Sequence, residues 1–150
     1  MKYIWGCDLS LSNTGIAIFD EQGNPVKVFS VKTTSKDNYG VRLKIIAKIL
    51  QRYKKLYPPK EMIIENAFTR FNKATQVLYR VRGLVEYLFW DIPQTCLAPT
   101  TMKKILTGSG KAEKSDVENS IRKLYPDIEI ENDDQSDALG LVTTYFKRQN

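Results

Sequence analysis

The chain has 150 residues, 42% apolar and 27% charged, the proportions of an ordinary globular protein large enough for one core without staples. Its 23 Lys and Arg against 17 Asp and Glu leave a net charge of +6, which favours a polyanionic partner. It holds no histidine, which excludes Ser-His-Asp and Cys-His machinery, His-based zinc sites and any imidazole base.

From the N-terminus, "KYIWGCDLS" and "TGIAIFD" are β-rich runs separated by Ser, Asn and Gly, the pattern of a hairpin. "EQGNP" is a turn and "VKVFSV" alternates like a third strand. Over 40–57, Val41, Ile45, Ile49 and Leu56 predict the apolar stripe of a helix, with Lys44, Lys48, Arg52 and Lys55 on another face. Pro58 and Pro59 end it, and "EMIIEN" follows as a short buried strand closing on a carboxylate. Helix 72–89 has the most regular periodicity, with Ala74, Val77, Leu78, Val81, Leu84, Val85 and Leu88 on one face. "IPQTCLA" predicts strand five and "PTTMKKIL" a helix. The Gly-rich loop "TGSGKAEK" leads to helices over 114–124 and about 134–146. The order predicts one α/β layered domain over 1–150. Cys7 and Cys96 match no zinc or disulfide framework, so a reducing, cytoplasmic setting is expected. No run approaches the ~18 apolar residues of a membrane span.

Acids stand where the pattern gives them little reason to be. Asp8 lies in an apolar strand and Glu65 ends another, where a carboxylate loses water. "ENDDQSD" at 131–137 places Asp134 and Asp137 on one helical face. Read alone, that stretch is also a capped, solvated helix start with Asp133 as cap or spectator, and Asp8 a turn residue. Taken together, carboxylates without His or Cys suit Mg²⁺ or Mn²⁺. Two such ions could activate water and stabilise the leaving oxygen in phosphodiester hydrolysis.

The blocks "GCDLSLSNTGIAIFD", "MIIENAFTRFNKATQVLYRVRGL", "PTTMKKILTGSGKAEKSDV" and "DQSDALGLV" resemble, in order, the four blocks of RuvC-type Holliday junction resolvases. The short length resembles the phage-encoded branch. The resemblance implies an RNase H-like fold with a five-stranded mixed sheet flanked by helices. It implies Asp8, Glu65, Asp134 and Asp137 as catalytic metal-binding acids, and Lys103 and Lys114 as contacts to the DNA backbone, with Lys114 also orienting or protonating. Phe68 matches an aromatic that stacks on a base at the junction's open centre. The implied activity is structure-selective cleavage of four-way and other branched DNA, leaving 5′-phosphate and 3′-hydroxyl, with about two ions per subunit. Where the family has Pro-Gly after the first acid, this chain has Leu9-Ser10, which alters the turn and offers Ser10 or Ser12 as hydroxyls near phosphate.

The remaining basic residues fit that reading. Seven Lys or Arg and no acid lie between Arg42 and Lys60, and residues 66–82 hold Arg70, Lys73, Arg80 and Arg82, again without an acid. Arg70 and Lys73, with Lys103, Lys104, Lys111 and Lys114 around the Gly-rich loop, are expected to contact DNA. Phe68 and Phe71 beside these cations suit unpaired bases, although either also fits a core. Gly83 costs a helix about 1 kcal/mol relative to Ala, and close approach of a second helix is its expected use. Helix 72–89 is then the contact of a homodimer with two symmetric cutting sites, ordinary intrachain packing being the alternative. Three rivals carry less: a fork, flap or RNA-containing branched substrate; a non-catalytic junction-binding protein; and a sugar-kinase or actin-like ATPase, which needs two such domains.

Overall fold

The computed structural model describes residues 1–66 and 72–149. Strands β1 (Tyr3–Asp8), β2 (Asn13–Phe19) and β3 (Pro25–Lys32) form an antiparallel meander. Helix α1 (Tyr39–Leu56) crosses to β4 (Pro59–Glu65), which lies parallel to β1. Helix α2 (Lys73–Leu88) crosses to β5 (Gln94–Leu97), parallel to β4, and α3 (Pro99–Thr107), α4 (Lys114–Leu124) and α5 (Asp133–Gln149) follow. The sheet order is β3-β2-β1-β4-β5, a five-stranded mixed sheet, as the resemblance implied.

The two-residue period of the strands divides the core. Trp5, Cys7, Ile16, Ile18, Met62 and Ile64 face α1 and α2, while Ile4, Ala17, Phe19 and Ile63 face the layer of α3, α4 and α5. Asp8 and Glu65 continue the second set, so alternation alone aims both acids at the α5 side.

Two glycines let α5 come down onto that face. A Cβ on Gly6 would overlap the Ala138 carbonyl and the Val142 side chain, and one on Gly15 would overlap the Asp134 backbone. At its start, α5 is tied to β3: the Asn132 side chain accepts from Gln135 N at 3.0 Å. Asn132 Nδ2 and Gln135 Nε2 both donate to Ser30 Oγ, at 3.0 and 2.8 Å.

Three boundaries and one face differ from the expectations. β4 begins two residues early, at Pro59, a position that needs no ladder donor. α5 begins at Asp133 and continues past Phe146 to Gln149. The buried residues of α1 are Arg42, Ile46 and Leu50, whereas Val41 and Leu56 stand 42% and 58% exposed. The helix is turned away from its expected stripe because the Arg42 side chain binds hydroxyls beneath it, Thr33 Oγ1 at 2.8 Å and Ser12 Oγ at 2.9 Å. Among the described residues, beyond its chain neighbours and its own helix backbone, nothing lies within 4 Å of the Cβ position of Gly83, so that face of α2 is open.

Candidate metal centre and nucleic-acid cleft

β1 and β4 are parallel neighbours, and Cys7 pairs with Ile64, so Asp8 and Glu65 emerge side by side from the same end of the sheet. The N-terminus of α5 is packed against that end, and Asp137 reaches in from its first turns. Single carboxylate oxygens of Asp8, Glu65 and Asp137 all lie within 4.8 Å of one another, a spacing that one cation could span. Asp134 flanks this trio: its carboxylate accepts from Asn13 Nδ2 and is near enough to Asp8 to raise the Asp8 pKa. Of the two acids in "DDQSD" assigned to the centre, Asp137 joins the compact set and Asp134 braces it. Asp133 lies outside, exposed at the helix start.

The electrostatics of the cluster are those of a charge trap. Burial pushes the Asp8 carboxyl up to about 9, helped by nearby Asp134 and the charges of Glu65 and Asp137. Glu65 is raised by desolvation and by Asp137, while Lys114 and Lys103 pull it the other way. Asp137 is raised by desolvation against the opposing pull of Lys114. Acids held this close cannot all ionise without a counter-charge, and carboxylate oxygens alone suit a hard divalent cation.

Two lysines supply part of that charge. Lys114 is the first residue of α4, whose start is fixed by a reciprocal Glu113–Asp116 capping box. Its Nζ stands 3.5 Å from Asp133 and 3.8 Å from Asp137. Desolvation disfavours the Lys114 charge, but Asp137 and Asp133 outweigh it and its pKa is raised. Lys103, on α3, acts on Glu65 across the same space. Lys104 and Lys111 are exposed around the Gly-rich loop. Phe68, Arg70 and Phe71 fall outside the described residues.

The acids open into a cleft of about 270 Å³ whose walls include Asp8, Glu65, Asn66, Tyr79, Arg82 and Pro99. Tyr79 and Arg82 were not singled out from sequence as site residues. Arg82 counted only as one of a run of basic residues, and Tyr79 sits on the polar side of a helix pattern. Arg82 lies beside Glu86 at 3.3 Å and donates to Cys96 Sγ at 2.6 Å. Lys73 lines an adjoining groove with the turn that follows Asp8.

A mixed sheet in order β3-β2-β1-β4-β5, with acids at the ends of β1 and β4 and on the last helix, defines an RNase H-like fold. The solved structures agree. Thermus thermophilus RuvC in complex with a Holliday junction substrate superposes with a TM-score of 0.86 at 19% identity, over 99% of this chain and 95% of that one. Fowlpox virus resolvase, solved with Holliday junction DNA, gives 0.57 at 16% identity, over 97% and 99%. The family model of crossover junction endodeoxyribonuclease RuvC matches residues 4–145. Crossover junction endodeoxyribonucleases RuvC of Rickettsia bellii and Orientia tsutsugamushi are each 31% identical, over 98% and 94% of this chain and 98% and 92% of theirs. The chain belongs to the RuvC family of crossover junction endodeoxyribonucleases. Its short length, which resembled the phage branch, is shared by these bacterial relatives.

Proposed function

We propose that the protein is a structure-selective endodeoxyribonuclease that cuts four-way DNA junctions, and other branched DNA, at the Asp8–Glu65–Asp137 cluster. The observation that carries the reading is the convergence of those three carboxylates within 4.8 Å at the mouth of a cleft. Divalent ions held there, Mg²⁺ or Mn²⁺ and two per subunit, supply Lewis acidity at the scissile phosphate and lower the pKa of water. Asp8, Glu65 and Asp137 would hold the ions, with Asp134, which accepts from Asn13 Nδ2, beside them. The raised pKa values of Asp8, Glu65 and Asp137 mean that a divalent cation would stabilise their ionised forms. Lys114 balances the acids and is placed to orient the phosphate or protonate the departing 3′-oxygen, leaving a 5′-phosphate.

Lys103, Lys104, Lys111, Lys73 and Arg70 act on the phosphates of the arms, and Phe68 stacks on an unpaired base. A homodimer through α2 fits the exposed face of that helix, where open space over Gly83 adjoins Tyr87 and Trp90, 75% and 80% exposed. No helix among the described residues is long and apolar enough to cross a membrane, and a DNA-cutting role places the protein with cytoplasmic DNA.

The test is a cleavage assay on a mobile four-way junction, a fork and linear duplex, with and without Mg²⁺. Paired symmetric cuts in the junction, dependent on the ion and absent from duplex, are expected. Equal cutting of all three, or none, overturns the assignment.

A further inference from the structure

The turn after Asp8 reads Leu9-Ser10-Leu11-Ser12, and it alternates: Leu9 and Leu11 are buried in the core, while the serines point outward and Ser12 is exposed. Behind Ser12 stands Arg42, only 6% exposed. Among the described residues no carboxylate pairs with it, and the first turn of its own helix holds no acid. A buried guanidinium without a counter-ion is costly, and its position near a helix N-terminus adds to the cost. Its partners are two hydroxyls. Thr33 Oγ1 accepts from Nε at 2.8 Å and spends its proton on the Leu11 carbonyl. Ser12 Oγ accepts from Nη2 at 2.9 Å, and no hydrogen bond among the described residues uses its proton.

Ser12 is therefore a donor with a positive charge behind it and an open groove in front. That groove, about 540 Å³, is lined by Leu9, Ser10, Ser12, Lys73 and Leu78 among others. It shares Leu9 and Leu78 with the cleft that holds Asp8 and Glu65. Lys73 on the α2 side and Ser12 on the β1–β2 side make the rim electropositive, the complement of a phosphodiester.

We infer that Ser12 anchors a backbone phosphate of the DNA strand continuing past the cut site, and that Arg42 is a positioning residue acting through Ser12. The inference rests on the nuclease reading for what enters the groove. Arg42 polarises the Ser12 hydroxyl and orients its proton outward, and the arriving phosphate neutralises the buried guanidinium that the protein leaves unpaired.

The experiment measures binding to a four-way junction and to linear duplex in EDTA across a salt titration. It compares the wild type with Ser12→Ala, Ser12→Thr, Arg42→Met and the Ser12→Ala/Arg42→Met double variant. Ser12→Ala is expected to weaken junction binding about five- to tenfold. Ser12→Thr, which keeps the hydroxyl, stays within about twofold of wild type. Arg42→Met shows a similar loss with a salt slope lower by about 0.9, and adding Ser12→Ala costs no further affinity. Wild-type affinity in Ser12→Ala, or losses that multiply in the double variant, overturns the inference. If Arg42→Met fails to fold, the Ser12 pair decides alone. A wild type that does not prefer the junction over duplex sinks the nuclease reading, whereas junction affinity undiminished in Ser12→Ala sinks only this one.

Discussion

Gly15 on β2 lies directly beneath the backbone of Asp134: a Cβ there would overlap the Asp134 carbonyl and stand 2.9 Å from Gln135 N. Gly15 is also the sheet partner of Asp8. One missing methyl group thus sets how near the last helix comes to the first acid. Gly15→Ala is expected to push the start of α5 outward and destabilise the fold by about 1–3 kcal/mol. Thermal unfolding and calorimetric Mg²⁺ titration should show a lower midpoint and a weaker affinity for the ion.

Asp8→Asn and Glu65→Gln remove charges that the proposed metal centre needs while keeping side-chain volume. Each is expected to lower cleavage of a four-way junction roughly 10³-fold, several kcal/mol of transition-state stabilisation. Junction binding in EDTA should be retained or tightened, because a carboxylate facing phosphate is gone. Cleavage at the wild-type rate by either variant would remove the acids from the mechanism.

The pH dependence of stability has a definite sign. An unfolded Asp ionises near ~3.9, whereas folded Asp8 does so at about 9. Between those values the folded chain holds the extra proton. Stability that is fully present below about pH 4 is therefore lost as pH rises toward 9. In EDTA the unfolding midpoint should fall across that window. Millimolar Mg²⁺ should reverse the trend by binding the ionised cluster, and Asp8→Asn should flatten the EDTA curve.

Much of this architecture is legible in the sequence, and the exceptions have physical causes. Five strands and five helices follow from period-2 and period-3.6 patterns, because most apolar side chains face one layer or the other. α1 is misread in rotation because Arg42 counts as polar by residue type but is buried by its hydroxyl partners, carrying Ile46 and Leu50 inward with it. Asp8 and Glu65 are conspicuous as acids in apolar runs. Asp134 and Asp137 share a helical face, so spacing alone could not tell which joins the trio; the packing of α5 on Gly6 and Gly15 does. Tyr79 and Arg82 carry no motif and enter the cleft only through the angle at which α2 crosses the sheet.

Lys114→Met leaves Asp133 and Asp137 without their cation. Cleavage is expected to fall about 10–100-fold, the scale of losing a group that supports metal ligands. Lys114→Arg, which keeps the charge, should recover part of it. A variant indistinguishable from wild type in single-turnover cleavage would make Lys114 a surface ion pair and nothing more.

Gly83→Arg would fill the open space on α2 with a long cation between exposed Tyr79 and Tyr87. Sedimentation is expected to report a dimer for the wild type and a monomer for this variant. Paired cuts in one junction should become independent nicks. A wild type that sediments as a monomer would remove the dimer altogether.

Because Asp8 and Glu65 leave adjacent parallel strands, their separation is inherited from the roughly 4.8 Å hydrogen-bonding repeat of the sheet itself. Neither residue can drift without breaking main-chain pairing, so the gauge of the proposed cutting centre is set by the peptide backbone and is insulated from changes on the protein's surface. Tuning must come from the seating of the helix bearing Asp137 and from the length of the side chains themselves. An aspartate at position 65 would leave the rails in place and shorten only the reach.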